Sequence, residues 1–298
     1  MSVAAAPNPN TFGQETDPNT SGQETDAELA RPRPIRVTDV GDPRLGDYAA
    51  LTDAALRKRY EHQHGVLIAE GPNPVRALVT SPYPVRSFLV AEERVEAMAP
   101  VLASVRVPAY VVTRALLEEL VRFRLHQGVL ACGARLPAMT PAQVVAGSRR
   151  VLVLEGLNDH ENLGTLFRTA RAFRVGGVLL APGCADPLYR RSVRVSMGHV
   201  LHVPFTRVET TAAALDLLHG AGFTTLALTP DPDAPPIDRL VLEGSRTALV
   251  LGAEGPGLSA SALTGTTTTA RIAMADGVDS LNVAAAGAIA CHELARRG

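Results

Sequence analysis

Tryptophan is absent from this 298-residue chain, aromatic residues make up only 4%, and lysine occurs once, at Lys58. Cysteine is scarce too. Cys132, Cys184 and Cys291 lie far apart, which excludes a small disulfide scaffold and leaves no C-x-x-C for zinc or redox chemistry. No apolar run nears the ~18–20 residues of a membrane span, and the N-terminus lacks the basic-then-apolar order of a secretory signal. The expected location is therefore a reducing cytoplasm, away from membranes. No G-x-x-x-x-G-K-[S/T] occurs, which excludes a P-loop hydrolase. His160 and His292 are isolated in sequence, and His199 and His202 fall three apart on an expected strand, so they should face opposite ways; no metal site is expected. Ser259 lacks the G-x-S-x-G elbow of a serine hydrolase.

What the chain does have is 46% hydrophobic and 20% charged residues, enough to bury a sizeable core. Its net charge of −1 conceals an asymmetry. Residues 1–30 carry Glu15, Asp17, Glu24, Asp26 and Glu28 with no basic side chain, leaving 29 basic against 25 acidic residues in the remainder. A nine-residue repeat, PNTFGQETD at 9–17 and PNTSGQETD at 18–26, is polar and turn-rich. Segment 1–34 is accordingly expected to be a disordered acidic tail, since two short copies cannot build a solenoid.

Beyond the tail, apolar strand-like runs alternate with helical stretches. Strands are expected at 65–71, 85–91, 107–112 and 128–134, separated by helices at 53–60, 73–79, 93–104 and 114–123. This predicts a small α/β domain over 35–137. Pro137 and Pro141 mark a linker. A second α/β domain is expected over 148–298, with strands at 151–157, 177–182, 199–205, 224–230, 247–255 and 271–275. Its helices are expected at 161–174, 190–198 and 211–219, near Ser259, and at 280–297. Such alternation predicts a mostly parallel sheet with helices on both faces.

In open parallel sheets, ligands collect at the carboxyl ends of strands. Three glycine- and polar-rich loops follow expected strands here: NDHENLGTLFRTARA (158–172), LGAEGPGLS (251–259) and MADGVDSLN (274–282). The second differs from the dinucleotide fingerprint G-x-G-x-x-G in glycine spacing, and Glu254 inside it would repel a pyrophosphate. Arg168, Arg171 and Arg174 lie at i, i+3 and i+6 of one expected helix, and Arg190, Arg191 and Arg194 crowd the next. Only Glu161 and Asp186 are nearby in sequence to pair with them. The six arginines are thus expected to neutralise nucleic-acid phosphates, the alternative being an ordinary solvated face.

These loops also resemble a known family. N-x-G-x-x-x-R-x-A at 162–170, L-G-A-E-G-x-G-L-S at 251–259 and I-x-M-x-x-G-x-x-S-L-N-V at 272–283 are similar to the three ordered motifs of SpoU/TrmH RNA ribose 2′-O-methyltransferases. AEGPNPVRALV (69–79) and HQGVLA (126–131) resemble elements of that family's substrate-binding domain. The resemblance implies a trefoil-knotted α/β (SPOUT) methyltransferase domain behind a small α/β RNA-binding domain, working as a homodimer with S-adenosylmethionine. It implies catalytic roles for Asn162, Arg168, Glu254, Ser280 and Asn282, and cofactor contacts at Thr229, Gly252, Gly257, Ile272, Met274 and Leu281. Arg171, Arg174, Arg190, Arg191 and Arg194 are expected to meet RNA, with Arg168 holding phosphate rather than acting as a base, because a guanidinium offers donors and is a poor general base. The expected substrate is 23S ribosomal RNA. The alternatives are a transfer-RNA 2′-O-methyltransferase and a non-catalytic RNA-binding or ribosome-assembly protein. Taken by themselves, Ser280 and Asn162 also read as helix N-caps. Three departures stand out: Ala273 where the family commonly has proline, Ala284 where it has serine, and Arg174 where it has glycine.

Overall fold

A computed structural model describes residues 34–241 and 244–296, the side chains of 54–58 excepted. The acidic tail, but for its last residue, lies outside the described residues. The rest builds two sheets within one compact unit.

The first sheet contains β1 (Ile35–Arg36), β2 (Val66–Glu70), β3 (Val85–Ala91), β4 (Ala109–Val112) and β5 (Val129–Ala134), in the order β1-β4-β3-β5-β2. It is mixed: β5 runs antiparallel to both β2 and β3, while β1, β4 and β3 are parallel. Four helices accompany it, α1 (Ala54–His64), α2 (Pro72–Val79), α3 (Val95–Leu102) and α4 (Arg114–Val121). The second sheet is wholly parallel, in the order β11-β9-β10-β6-β7-β8. Its strands are β6 (Arg150–Leu154), β7 (Gly177–Leu180), β8 (Phe205–Arg207), β9 (Thr224–Leu228), β10 (Thr247–Leu251) and β11 (Thr268–Ala270). Before it comes α5 (Pro141–Val145); within and after it come α6 (His160–Ala172), α7 (Arg190–Val195), α8 (Thr211–Gly220), α9 (Ala260–Gly265) and α10 (Val283–Arg296).

The largest core is shared by the two halves: Leu67, Val75 and Phe88 of the first join Leu154, Leu163, Val193 and Leu201 of the second in one buried cluster. Burying these surfaces together fixes the halves against one another through the hydrophobic effect. A cluster around Tyr48, Leu117 and Leu130 and another around Val151, Leu215 and Val250 complete the interior.

α6 illustrates how local chemistry sets an element. Asp159 caps it by accepting from the Glu161 N–H at 2.8 Å. Leu163, Leu166, Phe167 and Ala170 recur at core spacing and are buried. Gly164 lets α7 close in, since a Cβ there would lie 2.8 Å from the Ser192 carbonyl oxygen. The helix ends as a Schellman turn, the Val175 N–H reaching the Ala170 carbonyl at 2.8 Å across Arg174, whose φ is 55°.

The structure departs from the sequence reading in four places. Residues 199–202 form a 3-10 helix and only Phe205–Arg207 is strand. Met197 and Gly198 are both left-handed (φ 54° and 83°), which breaks the extended path just before Val200 and Leu201, and these two are buried within the 3-10 turn. The strand expected at 271–275 instead lies at Thr268–Ala270, where β-branched threonines pair with β9. The linker contains α5, nucleated by a Thr140–Gln143 capping box and anchored by buried Val144 and Val145. α10 starts at Val283, not at residue 280.

Candidate active site

The carboxyl ends of β9 and β10 open into a cavity of about 530 Å³. Three segments wall it: Leu228–Pro230 after β9, Gly252–Leu258 after β10, and residues from Ile272 to Val283 leading into α10. Thr229, Gly252, Gly257, Ile272, Met274 and Leu281 all line it, as does Ser280. The sequence had placed these residues on separate loops; the crossing of strand order at β6, β10 and β9 gathers them.

The loop after β10 folds back on itself. The Gly257 N–H donates to the Ala253 carbonyl at 3.0 Å, and an ideal Cβ on Gly252 would lie 2.3 Å from the Gly257 carbonyl carbon. Only glycine fits at 252, and the fold-back pushes Glu254 outward at the tip. There the Asn282 Nδ2 donates to Glu254 Oε1 at 2.6 Å and to Asn162 Oδ1 at 2.9 Å. The Val283 N–H also points at Glu254 Oε1, at 3.4 Å. Asn282 spends its other atom differently: Oδ1 accepts from the Ala284 and Ala285 N–H groups at 3.0 and 3.2 Å, which caps α10. One asparagine thus joins a helix N-terminus, a carboxylate and the first turn of α6. The cap reading for Ser280 and for Asn162 is corrected: Asn282 and Asp159 hold those positions.

Arg168 is not drawn into this cluster. Six residues after Asn162 on α6, it sits roughly 9 Å along the axis and about 240° around it. Its side chain is exposed and forms no hydrogen bond or ion pair with the described residues. Arg171 and Arg174 are likewise exposed. Arg168, Arg171 and His202 add their charges at His199, and with burial foremost they hold its imidazole pKa below 6.5.

The other arginines correct the sequence reading. Arg190 pairs with Glu70 of β2, donates to the Leu51 carbonyl at 3.2 Å and stacks 4.8 Å from the Phe123 ring centre. Arg194 reaches the same carboxylate at 3.1 Å, and Arg191 pairs with Glu161 at 2.6 Å. Arg190 is only 14% exposed and faces the first half of the chain, so it is a fold contact rather than a free phosphate binder. Glu70 was invisible as a partner because it lies 120 residues away. Glu155, which no motif flagged, accepts from Ser259 and Thr211. Its signal was a charge closing an apolar strand just before a glycine, the pattern Glu70 also shows.

The SpoU rRNA Methylase family profile matches residues 149–292. The chain is similar to the uncharacterised tRNA/rRNA methyltransferase Rv0881 of Mycobacterium tuberculosis, 42% identical over 88% of this chain and 92% of that one. It is also similar to the 23S rRNA (guanosine(2553)-2′-O)-methyltransferase RlmP of Bacillus subtilis, 26% identical over 80% of this chain and 91% of that one. Among solved structures, an rRNA methyltransferase from Sinorhizobium meliloti shares the fold with a TM-score of 0.75 at 24% identity, over 88% of this chain and 97% of that one.

Proposed function

Because the chain belongs to the SpoU/TrmH family of RNA methyltransferases, we propose that it moves a methyl group from S-adenosylmethionine to a ribose 2′-hydroxyl of RNA, with 23S ribosomal RNA as the substrate. The observation that carries this reading is the convergence of Asn162, Glu254 and Asn282 at the mouth of the cavity. The likeness to RlmP favours ribosomal over transfer RNA.

The cavity suits the cofactor. Its size falls within the range of small-molecule sites, and its wall combines apolar Leu228, Ile272, Met274 and Leu281 with polar Thr229 and Ser280. Thr229, Gly252, Gly257, Ile272, Met274 and Leu281 would hold it. When bound, the cofactor supplies an electrophilic sulfonium methyl. The protein's task is to bring a weakly nucleophilic hydroxyl into line and to help remove its proton. Ser280 stands at the cavity wall to orient that hydroxyl, and Asn282, its amide held by Glu254 and Asn162 and its oxygen capping α10, fixes the wall beside it. Arg168 is assigned to an RNA phosphate, with Arg171 and Arg174 beside it on the same exposed helix end. The first sheet and its helices serve as the RNA-binding half. The protein is proposed to work in the cytoplasm as a homodimer: Ile289 is 41% exposed on α10 and offers apolar surface to a second copy.

Incubation with methyl-labelled S-adenosylmethionine and RNA from cells lacking the gene tests the reading. Label should appear in ribosomal RNA and survive as a 2′-O-methyl nucleoside after digestion; no transfer to any RNA fraction sinks the proposal. Asn282→Asp keeps the helix cap but loses the amide donor, and should lower turnover about 100-fold or more if the cluster orients the hydroxyl.

A further inference from the structure

Glu155 follows β6 directly, and its N–H donates to the Leu251 carbonyl at 2.9 Å, extending the β6–β10 ladder by one step. Its carboxylate then turns to the neighbouring loop. Oε2 accepts from the Ser259 N–H at 2.8 Å, while Oε1 accepts from the Ser259 hydroxyl at 3.0 Å and the Thr211 hydroxyl at 2.5 Å. No ion pair engages it among the described residues. A carboxylate that binds only neutral donors, from two segments remote in sequence, is a cross-link rather than a charge partner.

What it cross-links is the loop lining the cavity. Segment 252–258 contains Gly252, Gly255 and Gly257, and glycine gives a loop the greatest conformational freedom. The β10 ladder holds its near end and the Glu254–Asn282 bond holds its tip. At the far end the Ser259 backbone and side chain are both taken by Glu155. Ser259 already caps α9 with its own oxygen, accepting from the Ala262 N–H at 3.2 Å, so Glu155 is not needed for the cap. We infer that Glu155 is a positioning residue: by clamping Ser259 to the end of β6, it holds the glycine-rich loop in its binding shape and so sets affinity for S-adenosylmethionine. This rests on the reading of the cavity as the cofactor site.

Calorimetric titration of S-adenosylmethionine into the full chain tests it, using Glu155→Gln, Ser259→Ala and the double variant. Glutamine keeps the size but removes the charge and leaves one acceptor oxygen for the three donors of Ser259 and Thr211. The expected result is a Kd raised about tenfold or more in Glu155→Gln, with kcat at saturating cofactor within about threefold of wild type. The double variant should bind no more weakly than the worse single one, because both act through one link. An unchanged Kd, with or without a lower melting temperature, overturns the inference, as does full additivity. Leu281→Glu, inside the cavity, separates the two claims: undisturbed binding in that variant refutes the cavity assignment, whereas disturbed binding there with a normal Glu155→Gln refutes only the role of Glu155.

Discussion

Arg174 occupies the left-handed position that ends α6, where family members commonly carry glycine. A side chain with a Cβ is strained at φ 55°. Arg174→Gly should therefore stabilise the protein by about 1 kcal/mol, seen as a higher urea midpoint with an unchanged slope; a lower midpoint would show that the arginine side chain contributes more than the strain costs. His199 and His202 tie stability to pH. Burial leads in lowering both pKa values, with Arg171 acting on each and Arg168 on His199, while the Ala77 carbonyl partly offsets the effect at His202. A histidine with a depressed folded pKa binds fewer protons than the unfolded chain, so its stabilising contribution is present above pH 6.5 and is lost as pH falls toward the folded pKa. Denaturation midpoints should drop as pH goes from 7 to below 6.5, and the slope should flatten in a His199→Gln, His202→Gln variant.

At the scale of elements, the contact between α6 and α7 determines where Asn162 and the arginines sit. Gly164 meets the Ser192 carbonyl oxygen, which is backbone and cannot rotate away. Gly164→Ala should push the helices apart at a cost of roughly 1–3 kcal/mol, read as a lowered thermal midpoint, and should weaken methyl transfer because Asn162 moves with α6. Retention of wild-type stability would mean that α7 yields freely. The element scale also explains why the sequence reading placed α10 too early. Ser280 and Asn282 both suit a helix start, and only the observed bonds from the Asn282 Oδ1 to Ala284 and Ala285 decide between them.

At the scale of the whole molecule, two ionic clusters join the halves. Glu70 holds Arg190 and Arg194, while Asp186 holds Arg135 at 2.7 Å with Glu61 alongside at 3.4 Å. Glu70 and Arg190 are 8% and 14% exposed, so removing the carboxylate leaves a nearly buried cation without its counter-charge. Glu70→Gln should cost roughly 3–5 kcal/mol, measured by urea unfolding, and the loss should persist at high salt because the pair is shielded from solvent. A cost below about 1 kcal/mol would class it with exposed pairs.

The amino-acid sequence by itself determined the alternation of strands and helices, the three polar loops at strand ends and the likeness to SpoU/TrmH enzymes. Those signals are local, carried by periodicity, turn residues and motif spacing. Tertiary structure alone decided that Asn162, Glu254 and Asn282 share hydrogen bonds, that Arg168 stands apart from them, and that Arg190 and Arg194 belong to Glu70. It also revealed Glu155 as the partner of Ser259, 104 residues away. The reason is physical: a hydrogen bond or ion pair is set by positions in space, and partners 28 to 124 residues apart leave no mark in any window of sequence.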